Sequence, residues 1–118
     1  MNRLAFIAAL AFTALPLSAH AQRTIALHAR SAGELAALCT ASPREPAGEA
    51  RINYCHGFAQ GVVDVELMHG KPFCIPSGTS RQATLAEFAR WVHAQPERRS
   101  ANPVTGLTRF LAERYPCH

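Results

Sequence analysis

Four cysteines, Cys39, Cys55, Cys74 and Cys117, in a chain of 118 residues constrain the fold more than any other feature. An even number of cysteines in a short exported chain points to two disulfides. The zinc alternative fits poorly. No two of the cysteines are spaced as a C-x₂₋₄-C knuckle, and the histidines show no paired spacing. No metal or cofactor site is therefore expected. Four cysteines allow three connectivities, and spacing alone does not choose among them.

Export is read from the first residues. "MNRLAFIAALAFTALPLSAHAQ" has a basic start at Arg3, an apolar run from Leu4 to Leu15, and small residues at Ala19 and Ala21. That is the pattern of a secretory signal peptide over residues 1–21, cleaved after Ala21. The apolar run is too short to span a bilayer stably. No cysteine follows it directly, so no lipid anchor is expected. The mature chain, residues 22–118, reads as one soluble, exported domain. A chain this small needs reinforcement beyond its hydrophobic core, and two disulfides would supply it.

Charge excludes one class of partner. Twelve basic residues face eight acidic ones, a mild excess, and only Arg98 and Arg99 are adjacent arginines. No basic stripe follows the chain as a phosphate backbone would require, so nucleic acid is not an expected partner.

Helix signals recur along the mature chain. "SAGE", Ser31 to Glu34, matches a capping box, with Leu35, Leu38 and Cys39 at helical spacing behind it, which predicts a first helix to about Ala41. "SPREPAG" stops it. A second, longer helix is predicted from about Glu49 to His69, with Tyr54, Phe58, Val62 and Val65 as its apolar face and Ile52, Cys55 and Ala59 as a flank. Gly57 and Gly61 each cost roughly 1 kcal/mol relative to alanine inside a helix. Close approach of a neighbouring helix is the expected offset.

Gly70 ends that helix, and "GKPFCIPSG" reads as a loop tucked onto the core by Phe73 and Ile75. Thr79 and Gln82 form a second capping box ahead of Leu85, Phe88, Ala89 and Val92, in a helix that stops at Pro96. Trp91 lies off the centre of this stripe, at the edge of the core or at an interface. Asn102 as N-cap with Pro103 at the first helical position opens a fourth helix through Val104, Leu107, Phe110 and Leu111. No strand-like alternation appears. The expected fold is all-α, a small disulfide-stapled bundle of about four helices. On that layout the preferred pairing is Cys39 with Cys55, joining helices 1 and 2, and Cys74 with Cys117, tying the loop to the C-terminus.

Chemistry is hard to find in this chain. Asp64 and Glu66 stand two apart and face different sides of a helix. His56 follows Cys55, but neighbours on a helix diverge, and "YCHG" lacks the second cysteine of a haem attachment site. The chain reads as a binding protein rather than an enzyme.

The order "YCHGFAQGVVD", "FCIPSGTSRQ" and a terminal "YPC" resembles the Rap/Tai family of immunity proteins, which protect bacteria against peptidoglycan amidases delivered by type VI secretion. The resemblance covers Ser31 to Cys117. It implies a periplasmic, all-helical inhibitor, often a homodimer, that blocks the active-site cleft of an amidase with an inserted surface segment. The candidate segment is "PERRSANP": Pro96, Glu97, Arg98, Arg99, Ser100, Ala101, Asn102 and Pro103. It is a polar loop with rigid prolines at both ends, which lowers the ordering cost on binding. A solvated connector is the plain alternative for that loop.

Two other classes fit the same composition. One is a small periplasmic stress or chaperone-like protein, in which histidines charging below about pH 6.5 loosen the bundle. The other is an envelope scaffold domain without a toxin partner.

Overall fold

Residues 27–70 and 72–118 are described by the computed structural model. The expected signal peptide and its cleavage site lie outside them. Five helices follow in order: α1 (Ala32–Cys39), α2 (Gly48–His69), α3 (Arg81–His93), α4 (Pro96–Ser100) and α5 (Pro103–Arg114). Among the described residues there is no strand. The all-α expectation holds, with one helix more than the sequence suggested: α4 lies where a loop was expected.

The caps explain why the helices start where they do. Ser31 Oγ accepts from the Glu34 amide at 3.1 Å. The reciprocal half of this capping box is absent, because the Glu34 carboxylate takes the Arg30 amide at 2.8 Å and its guanidinium at 3.1 Å instead. At α3 the cap is Ser80, one residue later than the sequence signal, accepting from the Ala83 amide at 3.2 Å. Thr79 is spent on the turn before it, donating its hydroxyl to the Pro76 carbonyl at 2.7 Å. Asn102 caps α5 as expected, with Oδ1 accepting from the amides of Val104 and Thr105 at 2.9 and 3.3 Å.

Both disulfides form in the expected pairing, Cys39–Cys55 and Cys74–Cys117, with Cα separations of 5.1 and 5.0 Å. The first turns Cys55 fully inward and thereby fixes the rotation of α2. As a result the buried side of α2 is Cys55 and Ala59, which the sequence made a flank, together with Val62 from the expected apolar face. Tyr54 and Phe58 are half-buried beside it, and Val65 is 53% exposed.

The core gathers around α1, which packs against each of the other four helices. Leu35 from α1 meets Phe88 and Val92 from α3 and Leu107 from α5 in one cluster, with Phe73 of the loop closing it. These five side chains are fully buried, and each contributes about 1.5–3 kcal/mol relative to exposure. Of the two loop residues expected to tuck in, Phe73 does and Ile75 stays 37% exposed.

The expectation for Gly57 and Gly61 fails. A Cβ at either position would meet nothing within 4 Å, and both are exposed. The close approach occurs at Gly48 instead, where a Cβ would lie 1.8 Å from the Ser42 carbonyl oxygen. The preceding Ala47 has φ 62°, a left-handed conformation that turns the chain back on itself. The α1–α2 connection is thus wound tightly enough to bring Cys39 and Cys55 together.

Candidate partner-binding site at α4

The segment 96–103 is built as a rigid corner between α3 and α5. Gln95 is extended, with φ −141°, and Pro96 occupies the first helical position, which suits a residue with no amide proton and a fixed φ. One short turn follows, closed by Arg98 N–H to the Gln95 carbonyl at 3.2 Å and Ala101 N–H to the Arg98 carbonyl at 3.4 Å. Asn102 and Pro103 then restart the chain as α5. The two prolines and one cap make the corner locally.

Contacts with α1 hold the corner from below. The Ala32 amide donates to the Ala101 carbonyl at 2.8 Å. At Gly33 a Cβ would come 3.1 Å from the Arg99 carbonyl oxygen, so a small residue is what lets α1 run this close beneath α4.

A side-chain lock holds the corner from the side. The Arg98 guanidinium lies over the Trp91 ring, 4.2 Å from its centroid, a cation–π distance. Its Nη1 donates to the Trp91 backbone carbonyl at 3.0 Å. The indole N–H of Trp91 donates to Glu113 at 2.8 Å, and Glu113 also accepts from Arg109 Nε at 2.9 Å. Arg109 stands 5.7 Å from the same indole ring. Below it, Trp91 packs on Phe88 and Phe110, with centroids 6.4 and 5.9 Å away.

The electrostatics follow from this arrangement. Glu113 is held below the usual carboxylate range, chiefly by the hydrogen bond from Trp91, with Arg109 adding to it and desolvation opposing. Arg98 has no carboxylate within ion-pair distance among the described residues. Its Nε is buried and has no hydrogen-bond partner.

Of the eight residues the sequence singled out, Pro96, Glu97, Arg99, Ser100 and Asn102 are exposed. Arg98 and Ala101 are half-buried, and Pro103 is buried. They form one contiguous corner, with the exposed five as its outer surface. Sequence reading missed the supporting residues Arg109 and Glu113. Their i, i+4 spacing was legible, but nothing local indicates that α5 lays this pair beside Trp91. The chemistry such a surface offers is hydrogen bonding and charge pairing. Among the described residues no group of three or more His, Cys, Asp or Glu side chains is placed to hold a metal ion.

The model of the Rap1a immunity proteins matches residues 31–117. No curated protein and no solved structure matches the chain. The matched span begins at the cap of α1 and ends at the second cysteine of the C-terminal disulfide, so it takes in every helix and both cross-links. The chain belongs to the Rap1a immunity proteins.

Proposed function

We propose that this immunity protein is the periplasmic antidote to a peptidoglycan amidase delivered by type VI secretion, exported by cleavage after Ala21. The α4 corner is the surface that enters or covers the catalytic cleft of the amidase. The observation that carries this reading is the construction of that corner: polar residues outward, with backbone and side chains held by α1 and α3, and Trp91 of α3 held in turn by Glu113 of α5. A segment already in its bound shape loses little conformational freedom on association. Two disulfides in so short a chain support an oxidising compartment. A cell-wall amidase threatens its own producer from that same compartment.

The protein acts as a homodimer in this reading. Support comes from the outer side of α2, where Gly57, Gly61, Val65 and Met68 recur at three- and four-residue spacing, away from the buried Cys55, Ala59 and Val62. Val65 and Met68 are 53% and 80% exposed. Open glycines beside exposed apolar side chains suit a second helix at short range.

The test is titration calorimetry of oxidised residues 22–118 against the amidase encoded beside them, with peptidoglycan cleavage followed in parallel. Tight binding with loss of cleavage is expected. Binding that survives charge reversal at Glu97 and Arg99 together would remove α4 as the contact surface, and no binding would remove the amidase.

A further inference from the structure

We infer that Arg98, held over the Trp91 ring, is the anchor of the partner interface and receives a carboxylate from an acidic patch on the partner. This rests on the reading of α4 as the contact surface and names the chemistry that the surface selects.

The charge balance around Trp91 is the first ground. Two guanidinium groups, from Arg98 and Arg109, flank one indole, and a single carboxylate, Glu113, serves both the indole and Arg109. Arg114 and Arg30, by contrast, are paired with Glu87 and Glu34. Arg98 has a carbonyl, an aromatic face and the longer-range attraction of Glu113, but no carboxylate within ion-pair distance among the described residues. Its exposed neighbour Arg99 adds a second positive charge on the same corner. With Glu97 also on this corner, three guanidinium groups face two carboxylates, a net excess of one positive charge that an anionic group would complement.

The state of the Arg98 side chain is the second. Its Nε is buried without a partner, and a buried donor left unsatisfied costs about 1–3 kcal/mol. An anion at the outer nitrogens leaves that Nε–H unpaired but offsets part of the cost of taking the delocalised guanidinium charge out of water. The cation has also lost much of its water before any partner arrives. Stripping the remainder costs less than it would for a free surface arginine. The residue is half-buried, which leaves an outer edge to be reached. A carboxylate matches the planar fork better than any neutral acceptor does.

Position is the third ground. Contact residues that dominate binding are enriched in tryptophan and arginine and sit packed within a ring of more exposed groups. Here the stacked pair sits beside Pro96, Glu97, Arg99 and Ser100, all of them exposed. Arg98 also reaches back to Trp91 through its Nη1 bond, so anion capture and corner rigidity act on the same side chain.

The experiment uses the intact oxidised protein and an N-acetylated, C-amidated tetraglutamate peptide as probe, followed by the ¹⁵N resonances of the arginine Nε–H groups and of the indole. Trp91 is the only tryptophan, so the indole signal is unambiguous. Saturable shifts at Arg98 and the Trp91 indole are expected at physiological salt. Arg98→Lys, which keeps the charge but loses the fork, should weaken binding at least fivefold, and Arg99→Lys less than twofold. Melting temperature and amide exchange of residues 97–101 are measured on each variant. Uniform shifts at all exposed arginines, or equal losses in the two variants, would overturn the proposal. If Arg98→Lys unfolds the corner, Glu113→Gln tests it instead: it frees Arg109 and leaves Arg98 in place, so peptide shifts that persist at Arg98 support the anchor and shifts that move to Arg109 overturn it. An amidase inhibited equally by wild type and Arg98→Lys would sink the anchor alone. Peptide capture with no amidase binding would sink the proposed function alone.

Discussion

The carbonyl oxygen of Ser42 stands 1.8 Å from the point that a Cβ on Gly48 would occupy. No rotamer relieves such a clash, because both atoms are fixed to backbone. Gly48→Ala should therefore force the α1–α2 connection apart, lowering stability by about 1–3 kcal/mol, the usual range for overpacking. In a domain of this size that corresponds to a fall of roughly 4–8 °C in melting temperature per kcal/mol. Gly57→Ala, with open space around it within the chain, should raise the stability of the monomer by roughly 0.5–1 kcal/mol. Thermal melts of the two variants check the contrast, and similar melting of both would contradict it.

The two disulfides differ in access. Cys55 is fully buried, whereas Cys74 and Cys117 are exposed. On titration with a thiol reductant, Cys74–Cys117 should open first, as read by alkylation and mass spectrometry under native conditions. Removing Cys39–Cys55 by Cys55→Ser should cost about 2–5 kcal/mol, typical of a small exported domain. Simultaneous opening of both bridges would show that global unfolding governs reduction.

A charge placed on the outer side of α2 separates folding from self-association. Met68 is 80% exposed, so Met68→Glu should change the stability of the monomer by no more than about 0.5 kcal/mol. Sedimentation velocity should show the variant shifted toward monomer. A wild-type protein that stays monomeric at high micromolar concentration would rule out the homodimer.

The Trp91–Glu113 hydrogen bond predicts an acid-side effect. The folded-state pKa of Glu113 is lowered, so its contribution is fully present above the unfolded value, near pH 4.3. It is lost as pH falls through the lower folded value. Indole fluorescence should therefore change below about pH 4.3 in the wild type, and Glu113→Gln should abolish that change. A fluorescence transition centred near pH 6.5 would point to histidine instead.

The sequence by itself determined the class of fold and the approximate helix positions of this protein, and left the disulfide pairing as a preference among three connectivities. The fold class and helix positions depend on local signals: apolar spacing at 3.6 residues, Ser31 and Asn102 as caps, and prolines and glycines as stops, whereas the Cys74–Cys117 bridge joins segments 43 residues apart. The rotation of α2 was decided by tertiary structure, because the Cys39–Cys55 bridge draws Cys55 to the centre and moves Val65 outward. Which glycine matters was decided the same way, since Gly48 meets a carbonyl from an earlier turn while Gly57 and Gly61 meet nothing. The α4 corner shows the division most clearly. Its prolines and polar residues were legible in order along the chain. Its support comes from Arg98 held over the Trp91 ring, with Glu113 and Arg109 brought in from α5. Periodicity records which side of a helix is apolar, but contacts between helices depend on rotation and crossing, which only the packed core sets.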